Sequence, residues 1–216
     1  MNAYNQGARG YQETLLVDTL DRMRRNPEGR KVVHLHLSQL VAANRTPVRI
    51  KIVTRMFRTL ESGRNAQIFR DNGIAVTGIE ISKTAIELAG KHYGTEMTIY
   101  HGSVTDMPFD KARYDGIFCY ALIHLLDSTE RLKLIQDCYN QLNDGGFMVF
   151  TAISKEASTY GKGQFISKDR YEIFDGVKMF FYDRASIQEE FGKAGLFEIT
   201  EITESFPFFL IKCKKQ

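Results

Sequence analysis

The sequence predicts an α/β fold: a doubly wound, mostly parallel sheet with helices on both faces. Helix-like and strand-like segments alternate from residue 63 to residue 152, a pattern typical of parallel strands joined by helical crossovers. Near the end of the chain, "FEITEI" and "FFLIKCKK" lie close enough to form an antiparallel hairpin at a sheet edge. The 216 residues fit one domain of ordinary size.

The first half of the alternation contains two helices and two strands. Residues 64–72 predict a helix that stops at Gly73, and residues 74–81 form an apolar, β-branched run typical of a buried strand. Ser82 is suited to cap a second helix that continues through Lys91. The short strand "MTIYHG" then leads into the loop "SVTDMPFD".

The second half begins with "YDGIFCYALIHLL", which predicts a strand from Asp115 to about Tyr120. Residues 128–142 form an amphipathic helix, and "NDGG" after it predicts a turn. "FMVFTAI" predicts the next strand, and residues 184–193 predict the last helix before the hairpin.

Composition and charge narrow the function classes. The apolar runs are too short to span a bilayer, and the N-terminus lacks the apolar stretch of a secretory signal. The 3 cysteines have no metal-ligand spacing and are typical of reduced thiols, so we expect a cytoplasmic protein with neither a metal site nor a membrane partner. A formal charge of +3 is too small to indicate nucleic acid as a partner.

Five landmarks follow one another downstream of residue 61: "GRNAQIFRDNG", "VTGIEIS", "GSVTDMPFD", "YDGIFCYALIHLL" and "LNDGGFMVF". On these landmarks, residues 62–215 resemble the class I S-adenosylmethionine-dependent methyltransferases, in particular the small-molecule group that includes tellurite-resistance methyltransferase-like proteins. The resemblance implies a Rossmann-like sheet of about seven strands with an antiparallel last strand. It also implies S-adenosylmethionine as the cofactor and a small molecule as the methyl acceptor.

The resemblance assigns the nucleoside part of the cofactor to the carboxyl ends of the strands, where open α/β sheets bind ligands. Glu80 ends the second landmark strand, and its carboxylate would accept hydrogen bonds from both ribose hydroxyls. Ile81 would offer an apolar face to the adenine, with a plain core role as the alternative. Ser103 and the Val104 N–H would contact the adenine edge, with Ser103 standing where family members often carry an acid.

The resemblance places the methionine part of the cofactor near the end of the fourth strand and near the start of the helix after Gly63. Tyr120 and Ala121 would lie beneath it, after the fourth strand of the family pattern. The helix that starts near Gly63, Arg64 and Asn65 would point its N-terminal N–H groups at the cleft.

Residues on the substrate side come from the loop after that strand and from an insertion. His124 is a candidate base or hydrogen-bond donor, or else a histidine that packs against the sheet. Residues 153–183 are predicted to form a cap over the acceptor, in which Tyr160, Arg170 and Tyr182 line the pocket or fill a small core of the cap itself. Alignment and desolvation supply much of the rate of methyl transfer, so no catalytic residue is assigned.

One departure from the family pattern concerns the turn after the first strand. The family has an acid and a turn of the form D-x-G-x-G-x-G, whereas this chain reads "VRIKIVTRMFRTLES" before Gly63. Residues 31–60 contain no Asp or Glu but hold six Lys or Arg, so residues 31–62 form an atypical segment after a predicted helical segment at residues 1–30. Either the turn has diverged, or this segment is translated from an adjacent reading frame.

The missing glycines leave alternatives open. We expect weak cofactor binding, because non-glycine residues resist positive φ angles and because Leu60 and Glu61 add bulk. A non-catalytic methyltransferase-like binding protein is therefore the main alternative to a methyltransferase. A nicotinamide-dependent oxidoreductase is a weaker one, since it needs the same glycines.

Overall fold

The structure is a computed structural model, and it describes residues 49–54, 66, 69–70, 73–94, 97–173, 176–203 and 207–216. The helical segment predicted at residues 1–30 lies outside the described residues, as do Leu60, Glu61, Gly63, Arg64 and Asn65. Ala66, Phe69 and Arg70, within the helix predicted at residues 64–72, have helical backbone.

The regular elements follow the predicted alternation. Among the described residues, the helices with defined bounds are α1 (Lys83–Tyr93), α2 (Ser128–Gln141) and α3 (Arg184–Phe191). The strands, in chain order, are β1 (Arg49–Thr54), β2 (Ala75–Glu80), β3 (Thr98–His101), β4 (Tyr114–Tyr120), β5 (Leu142–Ile153), β6 (Gln164–Ser167), β7 (Arg170–Ile173), β8 (Val177–Phe180), β9 (Leu196–Ile202) and β10 (Phe208–Lys214).

Seven strands form the main sheet in the order β3-β2-β1-β4-β5-β10-β9. The pairs β3/β2, β2/β1, β1/β4 and β4/β5 are parallel, whereas β10 runs antiparallel to both of its neighbours. The predicted fold class and its antiparallel last strand are therefore confirmed.

Helix starts follow from local sequence. The Ser82 hydroxyl accepts a hydrogen bond from the Ala85 N–H, as expected for an N-cap, and α1 continues two residues past Lys91. Asp127 caps α2, and Glu130 completes a reciprocal capping box. Among the described residues, no helix is both long and apolar enough to cross a bilayer.

The turn predicted at "NDGG" is wrong, because these residues form an irregular part of β5. The pairing with β4 jumps from Tyr114↔Leu142 to Gly116↔Phe147. The Gly145 N–H donates to the Lys215 carbonyl, at 2.9 Å, and Gly145 has a φ of +76°. The chain end thus pairs with a segment that would otherwise turn away from the sheet.

The interior of the main sheet includes all the cysteines of the chain. Cys119, Cys138 and Cys213 are buried free thiols in the large hydrophobic core. Burial raises the pKa of each thiol above its ordinary value.

The interior strand β1 carries a buried lysine. Lys51 is 0% exposed, and its ammonium donates to the Gln141 side chain at 2.8 Å and approaches an Asp110 carboxylate oxygen at 3.4 Å. The same ammonium lies 4.5 Å from the centre of the Tyr114 ring, whose hydroxyl donates to Asp110. Burial lowers the pKa of Lys51, while the Asp110 charge opposes that shift.

A second buried ion pair joins the two helices on one side of the sheet. Arg131 of α2 donates to both carboxylate oxygens of Glu190 of α3, and the Tyr182 hydroxyl donates to the same carboxylate. The Arg131 guanidinium also lies 3.8 Å from the centre of the Phe180 ring. Residues 180–182 are therefore fixed to α2 and α3.

We expect Lys51→Ala to lower the free energy of unfolding by about 2–4 kcal/mol, because it removes packing and leaves the Asp110 carboxylate without its cation. The matched control is Lys91→Ala, at an exposed position of α1, which should cost less than about 0.5 kcal/mol. Urea unfolding of both variants measures the difference. Equal effects would show that the Lys51 cluster contributes no more to stability than an exposed lysine does.

Candidate active site

The parallel strands bring several predicted residues to one edge of the main sheet. β1 lies between β2 and β4, with Val53 opposite Ile79 and Thr54 opposite Tyr120. The last residues of these strands are therefore side by side at the carboxyl edge. This is the edge at which open α/β sheets bind ligands.

Glu80 lies at the end of β2, as predicted. Glu80 is 1% exposed, and one of its carboxylate oxygens accepts a hydrogen bond from the Ser82 N–H at 2.7 Å. Its carbonyl accepts the Gly102 N–H at 3.0 Å, which ties β2 to the loop after β3. The carboxylate is thus held by the turn into α1, and a contact with ribose stays a prediction.

Beside Glu80, Ile81 is 57% exposed, so the alternative of a core isoleucine is wrong. A ring nitrogen of His101 lies 3.2 Å from the Ile81 carbonyl oxygen. His101 is paired with Glu80 in the sheet, and sequence reasoning missed it. Its place just before Gly102, at the end of the strand predicted from "MTIYHG", was the available signal.

Ser103 and Val104 lie at the start of a short 3₁₀ turn that follows β3. The Ser103 hydroxyl accepts the Thr105 N–H at 3.3 Å and lies 2.7 Å from the Thr105 hydroxyl. Part of its hydrogen-bonding capacity is therefore used within the turn. Val104 is buried, and an adenine contact through its backbone N–H stays a prediction.

Tyr120 and Ala121 mark the end of β4. Tyr120 is buried, its ring stacks on Phe118, and burial raises the pKa of its hydroxyl. Ala121 has a φ of +49°, and its N–H donates to the Thr151 hydroxyl at 2.8 Å. A left-handed conformation costs a non-glycine residue roughly 1–2 kcal/mol, and such strain clusters at functional sites.

His124 lies in the 3₁₀ turn Ile123–Leu125 that follows. His124 is 6% exposed. Burial lowers the pKa of its imidazole to about 4, so the ring is uncharged at neutral pH. Its Nδ1 is buried and has no hydrogen-bond partner among the residues the structure describes. A neutral ring can exchange hydrogen bonds with a ligand but does not attract an anion by charge.

The insertion predicted as a cap contains an antiparallel sheet of β6, β7 and β8, here called the cap sheet. Tyr160 packs edge-on against Tyr171 and Phe181, and its hydroxyl donates to Asp169 at 2.7 Å. These rings pack in a small cluster that also includes Ile153 of β5 and Leu125 of the turn after β4. A small core was one of the two roles foreseen for them. Phe165, by contrast, is 65% exposed.

The other predicted cap residues differ in position. Tyr182 is fully buried and bound to Glu190, a place in the main core rather than on a free surface of the cap. Arg170 begins β7, and its Nε is buried without a partner in the described part of the chain.

A lysine links the ends of the insertion. Lys155 lies 2.7 Å from an Asp169 oxygen and 2.5 Å from an Asp183 oxygen. The hydrogen bond from Lys155 lowers the pKa of Asp183 to about 2. The beginning, middle and end of the cap are thereby held together.

Comparison with known proteins finds similarity to methyltransferases. A family model described as a methyltransferase domain matches residues 60–150. An O-methyltransferase from Aspergillus sclerotiorum, resE, is 28% identical over 102 residues, which cover 44% of this chain and 38% of that protein. The chain thus matches well under half the length of this curated relative.

Solved structures share the fold at low identity. The 1,6-didemethyltoxoflavin-N1-methyltransferase of Burkholderia thailandensis, with bound 1,6-didemethyltoxoflavin and S-adenosylhomocysteine, has a TM-score of 0.65 and 14% identity, over 100% of this chain and 92% of that one. The [4+2]-cyclase SpnF has a TM-score of 0.63 and 15% identity, over 87% of this chain and 81% of that one.

The family match begins at residue 60, at the end of the atypical segment, although β1 within that segment is an interior strand of the sheet, between β2 and β4. The main sheet has the strand pattern that the resemblance implies, and the landmarks that carry the resemblance lie within or next to the matched residues. Residues 60–150 thus match a model of the methyltransferase domain, and the chain shares the fold of solved S-adenosylmethionine-dependent methyltransferases.

Proposed function

We propose that the chain transfers a methyl group from S-adenosylmethionine to a small-molecule acceptor. The observation that carries the proposal is Glu80, a buried carboxylate held at the end of β2 in a methyltransferase domain. A carboxylate at this position of an open α/β sheet suits the two hydroxyls of a ribose.

The described residues at the carboxyl edge fit such a cofactor. Glu80 would bind the ribose, and the exposed Ile81 side chain would cover one face of the adenine. The Ala121 backbone, strained and fixed by Thr151, would lie beside the methionine part. The stretch where the family pattern has its cofactor-binding turn falls at residues 55–65, outside the described residues.

Chemically, the bound cofactor would supply a methyl group on a sulfonium, which is already activated toward a nucleophile. The chain's task is then to orient the acceptor and to exclude water, an effect that can supply much of the rate. The cap sheet and the buried turn of His124 suit that task, because together they place apolar and aromatic side chains over the carboxyl edge of β4 and β5. We assign no catalytic acid or base.

A second candidate is a methyltransferase-like protein that binds a small molecule without methyl transfer. The observation in its favour is the sequence "RMFRTLES" before Gly63, which lacks the glycines of the family turn. A fold also does not fix an activity, since a [4+2]-cyclase shares this one. Formation of S-adenosylhomocysteine from S-adenosylmethionine in the presence of an acceptor separates the two candidates, because the second transfers no methyl group.

We expect the chain as it stands to bind S-adenosylhomocysteine weakly, and replacement of residues 57–63 by an acid-led, glycine-rich turn to tighten binding by about a hundredfold or more. Two non-glycine residues forced into left-handed conformations at roughly 1–2 kcal/mol each account for that factor. Titration calorimetry measures it, with a glycine-free Ser/Ala turn of equal length as the control. Micromolar binding by the unaltered chain would contradict this expectation.

In whichever of these proteins binds more tightly, Glu80→Ala should weaken S-adenosylhomocysteine binding by about 1.5–3 kcal/mol, the range for hydrogen bonds to a charged group. The control Glu87→Ala removes an exposed carboxylate of α1 and should leave affinity unchanged. Thermal unfolding of both variants checks that they remain folded. If the two variants bind equally well, Glu80 is not part of the ribose site.

A further inference from the structure

One backbone conformation at the carboxyl edge of the main sheet is unusual for the residue that adopts it. Ala121, the first residue after β4, has a φ of +49°, in the left-handed region that favours glycine. Further along the same segment, His124 Nδ1 is buried and has no hydrogen-bond partner in the described part of the chain. Strained backbone clusters at functional sites, and unpaired buried polar groups need an explanation. Both features lie at the edge where open α/β sheets bind ligands.

A side chain of β5 holds Ala121 in this conformation. The Ala121 N–H donates a hydrogen bond to the Thr151 hydroxyl oxygen at 2.8 Å, and Thr151 is 5% exposed. The pairing of β4 with β5 runs as far as Cys119 and Phe150. The Thr151 hydroxyl therefore gives the chain a partner just beyond the paired part of β4.

Thr151 is a rigid anchor for that hydrogen bond. It lies in β5, which is paired with β4 on one side and with β10 on the other, and Thr151 itself is opposite Leu210. A β-branched side chain also has few accessible χ1 rotamers. The position of the hydroxyl is thus fixed by the sheet, and it restricts where the Ala121 N–H can lie.

The turn after Ala121 depends on the direction in which the chain leaves β4. Leu122 and Ile123 are buried, and the Leu125 N–H donates to the Leu122 carbonyl at 2.9 Å. The turn Ile123–Leu125 packs against β5 and β8. A change of Ala121 to an ordinary backbone conformation would redirect these residues, because they follow it directly in the chain.

We propose that Thr151 is a positioning residue of the candidate site. Its hydroxyl holds Ala121 in the left-handed conformation, and Ala121 sets the path of the turn that follows along the carboxyl edge. The ligand would then lie against backbone that Thr151 has fixed, without touching Thr151 itself. That this ligand is S-adenosylmethionine rests on the proposed function, whereas the positioning of the turn does not.

The first test is amide hydrogen exchange of the full chain, read at the Leu125 N–H. We expect Thr151→Val, which replaces the hydroxyl by a methyl group, to speed this exchange at least ~10-fold through local opening of the turn. Thr151→Ser retains the hydroxyl and should retain most of the protection. Ala121→Gly, added to Thr151→Val, should restore part of the protection, because glycine adopts a positive φ without strain.

The matched control is Thr77→Val, at another buried threonine. Thr77 lies in β2, and its side chain forms a hydrogen bond with Tyr114. Thr77→Val also removes a buried hydroxyl, so we expect it to lower overall stability without a selective effect on the Leu125 N–H.

The second test is titration with S-adenosylhomocysteine, in whichever chain binds it more tightly, the unaltered one or the one with the glycine-rich turn. Thr151→Val should bind at least ~10-fold more weakly than its parent, and Thr151→Ser should bind almost as well as the parent. Added Ala121→Gly should recover part of the loss, and Thr77→Val should leave affinity unchanged.

Three results would overturn the proposal: exchange at the parent rate in Thr151→Val, an equal effect of Thr77→Val at Leu125, or no recovery with Ala121→Gly. Weaker binding without recovery would mean that the Thr151 hydroxyl contacts the ligand directly. If Thr151→Val fails to fold, the double variant decides, and it must fold and protect the Leu125 N–H. If Leu125 responds as expected but no chain binds S-adenosylhomocysteine, only the proposed function is contradicted.

Discussion

The sheet is organised around the buried ammonium of Lys51, on the interior strand β1. Taking a charge out of water is costly, and the fold offsets that cost with the Gln141 amide, the Asp110 carboxylate and the face of the Tyr114 ring. These partners come from α2, from the loop before β4 and from β4 itself. A slip of β1 by one residue would turn Lys51 to the opposite face, away from all three. The register of β1, and with it the alignment of the strand ends, is therefore set by the need to pair the Lys51 charge as well as by the burial of apolar side chains.

That alignment creates the candidate site. Because β1 is paired in parallel with both β2 and β4 in a fixed register, Glu80 and Ala121 lie at the same edge of the sheet although 40 residues separate them. The pair of Arg131 and Glu190 fixes the last residues of the insertion, and Lys155 fixes its first residues. The cap is thus held at both ends, while its exposed strand β6 makes little contribution to the core.

Local sequence patterns predicted those parts of the fold that depend on interactions between residues close together in the sequence. Ser82 predicted the start of α1, because an N-cap acts within the first turn of a helix. The apolar run at residues 74–81 predicted a strand buried on both faces. The features that the sequence did not predict depend on partners that are distant in the sequence. Nothing near "NDGG" indicates that Lys215 pairs with it, and nothing near Lys51 indicates burial, since its partners lie about 60 and 90 residues away. Glu80 was found because strand order places it, whereas His101 and the positive φ of Ala121 emerge only when strands are side by side.

The burial of every cysteine has a practical consequence for experiments in solution. Cys119, Cys138 and Cys213 are shielded from water and carry raised thiol pKa values, so the folded chain presents almost no thiolate to an alkylating reagent. A cysteine introduced at the exposed Ser167 would then be labelled against a nearly silent background. A single fluorophore or spin label there would follow the movement of the cap alone. The native thiols would react only when the core opens, so the rate of their labelling would report the rate of unfolding.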